Sequence, residues 1–316
     1  HPRLWALFVG VVFAAGIDAV QRPSLDSLVP RTVPPEQVQS AGTLDTFRGT
    51  TAMLFGPAIA GLLIAAFGLP VTFGVDVVTF GASLIALSLM RAVPPPPDGE
   101  RVSLRAMRAG VRYAFRRHDL LGTYLVDMSA MLFGMPTALF PQIATQFGGP
   151  AVLGVLYAAP ALGSFLATVS SGWTLRVRRH GVAIALAAAG WGAAIVLFGF
   201  APSLLIALLA LAMAGYADCV SGVFRNTIWN QTIPDAMRGR LAGIEMISYT
   251  SGPALGNFEA GLVAAIAGVR TSVVSGGIAC IAGTVLLSAL LPEFWRYRAA
   301  SASARVAEGD ADPGSG

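Results

Sequence analysis

Between His180 and Asp218 the chain carries no charged side chain. Only the short FAPS turn at 200–203 interrupts this run, dividing it into two apolar stretches. The first comes near the roughly 20 residues that cross the hydrocarbon core of a bilayer, and the second continues past Asp218 to 232 with only Asp218 and Arg225 charged. A lone stretch of that kind satisfies its backbone in lipid by forming a helix. The rest of the chain follows suit: 55% of residues are apolar, 12% are charged, and mean hydropathy is +0.67. That charged share is about half of what a soluble domain carries. The expected class is an all-α, polytopic membrane protein.

Apolar runs and their breaks predict nine spans, at about 3–31, 38–67, 70–90, 119–146, 151–175, 182–201, 203–232, 241–267 and 271–292. Alternate connections differ sharply in charge. FGLP at 67–70, FGGP at 147–150 and FAPS at 200–203 carry none. The others, with the segment after the last span, hold sixteen arginines, against Arg3 and Arg270 on the opposite side. The positive-inside rule makes the rich side cytoplasmic and puts the C-terminus there. The localisation expected is a bacterial-type cytoplasmic membrane.

The basic segment RVSLRAMRAGVRYAFRRHDL, from position 101, follows a stiff PPPP lead-in at 94–97. Leu104, Met107, Val111 and Phe115 recur at helical spacing beside a stripe of Arg105, Arg108, Arg112 and Arg116. A helix of that pattern lies on a membrane with its arginines among anionic headgroups, so its expected partner is the lipid bilayer and not nucleic acid.

All twenty-one basic residues are arginine. Without lysine there is no P-loop to energise an ATPase and no pyridoxal Schiff base. Cys219 and Cys280 fall inside predicted spans and read as small core residues. The three histidines sit at the terminus or in basic loops, so no metal constellation is expected. No enzyme and no cofactor is indicated.

The chain also contains a repeat. GIDAVQRPSLDSLVPRTVP, from Gly16, parallels GYADCVSGVFRNTIWNQTIP, from Gly215: at an offset of 200, Asp18 meets Asp218, Val20 meets Val220, Thr32 meets Thr232 and Pro34 meets Pro234. FGPAIAG at 55–61 echoes SGPALGN at 251–257. Repeats in the same orientation are the signature of parallel transporter halves. The later copy falls on the fourth and fifth spans after the basic segment and the earlier on the first and second spans of the chain. Three front spans of a twelve-span pattern are therefore expected to be absent. The organisation read from this is 1–90, the remnant of an N-terminal half; 91–118, a cytoplasmic linker; 119–296, a complete C-terminal half; and 297–316, a polar tail.

Two helical halves joined by a basic connection resemble the major facilitator superfamily. LMRAVPPPPDGE, LGVLYAAPALGSFLA at 153–167 and QTIPDAMRGRLAGIE at 231–245 resemble the subgroup that contains the enterobactin exporter and drug or macrolide effluxers. The resemblance implies a partial major facilitator fold, with nine helices of twelve: three of the N-terminal half and six of the C-terminal half. It also implies a proton-coupled exporter of a mid-sized organic molecule, siderophore-like or drug-like, working by alternating access. RGTTAMLFGPAIAG at 48–61 resembles the glycine-proline motif of proton antiporters, with Gly56 and Gly61 for close helix approach and Pro57 for a bend. An ordinary small-residue packing face is the other reading. SGWTLRVRRHG at 171–181 resembles a degenerate copy of the superfamily's helix-connecting motif, lacking its aspartate.

Ionisable groups at membrane depth are expensive and so are candidates for function. Asp18, Arg22, Asp45 and Arg48 form one expected network and Asp218, Arg225 and Glu245 another, each either rearranging during transport or statically latching helices. Asp127, Asp76 and Glu259 are further carboxylates, for proton coupling, an outer gate, or plain bonding to a neighbouring helix. Trp229, Asn230, Gln231 and Tyr249 either contact ligand or mark an interface. Two other readings stay open: a non-transporting membrane subunit, and a fragment that transports nothing.

Overall fold

The computed structural model describes residues 37–89, 112–113, 115–233 and 235–298, with residues 9–10, 13 and 33–34. The first element is α1 (Val38–Ser88), two helices that meet at Gly68, whose φ of 77° and ψ of 169° are not helical. A side chain at that φ would be strained, and Pro70 follows at once, so FGLP ends one helix and starts another. The break expected at 67–70 is therefore present.

Compact packing divides the chain into two units: residues 1–52 with 73–100, and residues 53–72 with 101–316. In the first unit the described helix over 73–88 is apolar and exposed along its length, with Phe73, Val77, Val78 and Phe80 all more than half accessible.

The second unit is a helix bundle. Beyond residues 53–72 of α1 it contains α2 (His118–Phe133), α3 (Phe140–Phe147), α4 (Pro150–Val169), α5 (His180–Gly199), α6 (Leu204–Thr232), α7 (Asp235–Ala267), α8 (Val269–Leu290) and the short α9 (Pro292–Arg296). The most extensive contacts join α6 to α4 and α5, and α5 to α8; α2 packs on α7 and α8. Among the described residues five stretches are long and apolar enough to cross a membrane unaided: Ala66–Ser88, α4, α5, α6 and α8.

Lipid tails offer no hydrophobic drive between helices, so close approach at small residues holds such a bundle together. A Cβ on Gly163 of α4 would lie 1.8 Å from the Ala212 carbonyl oxygen of α6. One on Gly215 of α6 would lie 1.9 Å from the Pro160 carbonyl oxygen of α4. Gly192 of α5 and Gly277 of α8 meet backbone to backbone in the same way. Each pair lets two helix backbones touch where any side chain would hold them apart.

The segment expected as one span over 119–146 is broken. α2 stops at Phe133, a single 3-10 turn covers Thr137–Leu139, and α3 resumes at Phe140. Pro136 supplies no N–H and bars the residue before it from the helical region, which explains the stop. The backbone groups released there are taken up by neighbouring helices. Trp191 Nε1 of α5 donates to the Gly134 carbonyl at 2.8 Å, and the Ala138 N–H donates to Asn257 Oδ1 of α7 at 2.8 Å. Tyr157 of α4 donates its hydroxyl to the Thr137 carbonyl at 3.1 Å. Three helices thus complete a broken fourth, the condition under which irregular backbone is tolerated at membrane depth.

Two buried clusters fill the bundle. One gathers Phe140, Leu156, Phe198, Leu211 and Val273 near the break. The other gathers Leu120, Ile184, Phe224, Ile228, Trp229 and Phe294 at the arginine-rich end. Phe294 is fully buried and wedged between two glycines: a Cβ on Gly122 of α2 would sit 2.4 Å from its ring, and one on Gly181 of α5 would sit 1.8 Å from its carbonyl oxygen. That wedge fixes α9 to both helices.

Candidate functional site

α6 passes through both clusters, with Leu211 and Ala214 in one and Val220 and Phe224 in the other. Asp218 falls between them. Arg225 follows seven residues later, two helical turns on and therefore on the same face. Opposite stands Asp127 of α2. Arg225 Nη1 forms an ion pair with Asp127 Oδ1, and Arg225 Nη2 lies 3.8 Å from Asp218 Oδ1. The guanidinium is 3% exposed and the Asp127 side chain 11%, whereas Asp218 is 54% exposed. One carboxylate therefore clamps the arginine while the other stands open beside it. Arg225 Nε has no hydrogen-bond partner among the described residues.

Asp127 and Asp218 line a common cavity of about 60 Å³ with Met131, Met135, Trp191 and Ser221. The cavity thus runs from the charge cluster to the break in α2, where Trp191 holds the Gly134 carbonyl. One stretch of α2 supplies both the clamping carboxylate and the irregular backbone.

The expected pairing of Asp218 with Arg225 is present, and Asp127, assigned on sequence to a separate role, joins it. Asp18 and Arg22 lie outside the described residues, as do the side chains of Asp45, Pro57 and Glu245. Arg48 and Asp76 are on exposed parts of α1. Glu259 of α7 stands two residues past Asn257, level with the break, and makes no ion pair among the described residues. Of the two motif glycines, Gly61 permits close approach: a Cβ there would lie 2.7 Å from Gly154 Cα of α4. No described atom lies within 4 Å of the corresponding point on Gly56, so the close approach expected there is not made by described residues. In the repeat copy, Gly252 and Gly256 of α7 pack closely on Met131 of α2.

Trp229 is packed inside the bundle. It is 7% exposed, stacks on Tyr124 at 5.2 Å, and donates to Thr123 Oγ1 at 2.9 Å. Gln231 accepts a hydrogen bond from the Tyr297 hydroxyl at 3.3 Å. Both belong to the packing of the arginine-rich end. Arg117, ahead of α2, pairs with Asp119 at 2.6 Å, and that hydrogen bond holds the guanidinium pKa above its ordinary value.

Apolar crossing helices packed on glycine contacts, one of them broken beside a buried charge cluster, define a membrane transporter. The chain belongs to the family described as transmembrane secretion effector, which it matches over residues 3–310, and so to the major facilitator superfamily. It is similar to the enterobactin exporter EntS of Shigella boydii serotype 18 (strain CDC 3083-94 / BS512), 29% identical over 94% of this chain and 72% of the relative. It is 28% identical to EntS of Escherichia coli O81 (strain ED1a), with the same coverage. These likenesses support a multi-pass membrane exporter that acts on a small molecule.

Proposed function

We propose that the protein is a proton-coupled secondary exporter that moves a siderophore-like molecule out of the cytoplasm by alternating access. The observation that carries this is the Asp127–Arg225–Asp218 cluster opening onto the break in α2. A transporter's coupling site needs a carboxylate that can gain and lose a proton, and a partner whose pairing changes as it does. Asp218 is the accessible carboxylate. When it takes a proton, Arg225 is left to Asp127 alone; when it releases one, the guanidinium is shared. Discontinuous helices beside such a site are where transporters bind substrate and ions.

In this reading, residues 1–90 contribute three helices of an N-terminal half and 119–296 form the six-helix C-terminal half of a twelve-helix pattern. The linker at 91–118 and the tail at 297–316 lie in the cytoplasm. Asp18, at the position related to Asp218 by the repeat, holds the matching place in the first half, with Arg22, Asp45 and Arg48 around it. Glu245 adds to the Asp218–Arg225 group, and Glu259 serves the outer gate. Gly61 against Gly154, with Gly56 and Pro57 beside it, seals the helices against proton leak.

The test is uptake of a catecholate such as enterobactin into everted membrane vesicles across an imposed pH gradient. An acidic lumen should drive accumulation, and Asp218→Asn should abolish the response to the gradient while leaving substrate counterflow. Gradient-driven accumulation by Asp218→Asn would refute the coupling role. Accumulation of a macrolide in place of the catecholate would shift the substrate class to drug efflux.

A further inference from the structure

We infer that the bundle holds one anionic glycerophospholipid in a built site formed by α5, α8 and α9 at its arginine-rich end. Two adjoining hollows carry this. The first, of about 450 Å³, is a groove between α5 and α8, floored by Ala185 and Ala189 on one helix and by Ser288 and Ala289 on the other. Ala185 and Ala189 are one turn apart, and Val285 and Ala289 likewise, so each helix turns one face of small or apolar residues to the groove. Leu186 and Val285, both more than 60% exposed, form its rims. A groove of that make-up suits an acyl chain.

The second hollow, of about 470 Å³, is lined by Arg179, Val182, Trp295, Arg296 and Arg298. Trp295 and Arg296 line both hollows, so the two adjoin across these side chains. Each is within the roughly 300–1,000 Å³ of ordinary small-molecule sites. None of the three arginines has an acidic partner among the described residues. The nearby Glu293 is turned instead to His118 Nδ1 at 3.3 Å.

A phosphodiester headgroup matches this end, since arginine donates two parallel hydrogen bonds to phosphate oxygens. The amphipathic tryptophan at the junction marks the level where acyl chains give way to headgroups. The site is also held rigid. Arg296 and Trp295 ride on α9, which Phe294 locks between Gly122 and Gly181, and Arg179 immediately precedes α5. Basic hollows between membrane helices at the cytoplasmic level recognise anionic lipid heads. That this end faces the cytoplasm rests on the orientation proposed above; the match between groove, arginines and lipid does not.

The test uses the delipidated, detergent-purified protein and native mass spectrometry with titrated lipid. One phosphatidylglycerol should be retained under conditions that strip phosphatidylethanolamine. R296Q/R298Q should weaken phosphatidylglycerol binding about twenty-five-fold, at roughly fivefold per arginine. R179Q, on a different element, should weaken it about fivefold by the same reckoning, and supplies the same readout if the double variant does not fold. R176Q/R178Q removes equal charge from the same end without touching the hollow and should bind as the parent does. Ala189→Trp should block phosphatidylglycerol by filling the groove. Equal loss in R176Q/R178Q would mean diffuse attraction and overturn the site. So would glycerol 3-phosphate binding as tightly as the lipid, equal retention of phosphatidylethanolamine, or full binding by Ala189→Trp. Binding in detergent requires no transport, so either outcome leaves the export assay to stand or fall by itself.

Discussion

The helix over Ala66–Ser88 and α5 are both long and apolar, yet half of the residues of α5 are buried and none of the other's are. Their mean hydropathies, 1.7 and 2.1, do not foretell that difference. Among the described residues, what separates them is the use of glycine. Gly181 and Gly192 of α5 each stand where a Cβ would strike a neighbour's backbone. Gly74 and Gly81 have no described atom within 4 Å of that point. Apolarity puts a helix in the membrane; small residues at the right height decide whether it meets protein there.

Substitution at paired glycines should break this contrast most severely. Gly215→Leu drives a side chain into the Pro160 carbonyl, and the expected cost exceeds about 4 kcal/mol. The protein should fail to elute as a single species in size-exclusion chromatography. Gly74→Leu, in contrast, should elute and melt as the parent does. A melting temperature lowered as far by Gly74→Leu would show that the exposed face is packed against protein.

Next in size is Asp127→Asn, which leaves the buried Arg225 without its clamp. Removing one partner of a buried pair costs about 3–5 kcal/mol, readable as a lowered unfolding temperature in detergent. Asp127→Asn with Arg225→Met should restore the temperature but not gradient-driven transport. Stability unaffected by Asp127→Asn alone would mean the pair is not buried in the working protein.

Phe294→Ala should cost about 3 kcal/mol through the cavity it leaves against Gly122, measured by the same melt. It should also weaken phosphatidylglycerol binding, because α9 loses its anchor. The smallest effect expected is that of Trp229→Phe, which keeps the stacking on Tyr124 but removes the hydrogen bond to Thr123, for about 1 kcal/mol. A larger loss would give Trp229 a part beyond packing.

The sequence made some of these features legible and concealed others for physical reasons. Helix identity and the Gly68 break were readable because charge-free runs and FGLP are local signals. Asp218 and Arg225 stood out as charges inside an apolar run, and their spacing put them on one face. Their meeting with Asp127 is a contact between helices about a hundred residues apart in the chain, which no periodicity encodes. The break in α2 had a local signal in Gly134 and Pro136. Its supporting groups, Trp191, Asn257 and Tyr157, come from three other helices and had none. The packing of Trp229 on Tyr124 and Thr123 had no local signal, because its partners lie on another helix about a hundred residues away. The glycine contacts were hidden most thoroughly: Gly74 and Gly215 look alike in sequence and differ only in what lies opposite.

The clamp on Arg225 has an electrical consequence. Two carboxylates and one guanidinium carry a formal charge of −1 when both acids are ionised and zero once either takes a proton. A unit charge crossing the full membrane potential gains or loses about 2.3 kcal/mol per 100 mV, and a site part-way across feels its fraction of that. Voltage therefore acts on the cluster in one protonation state and not in the other. A membrane potential imposed without any pH difference should then bias which state predominates.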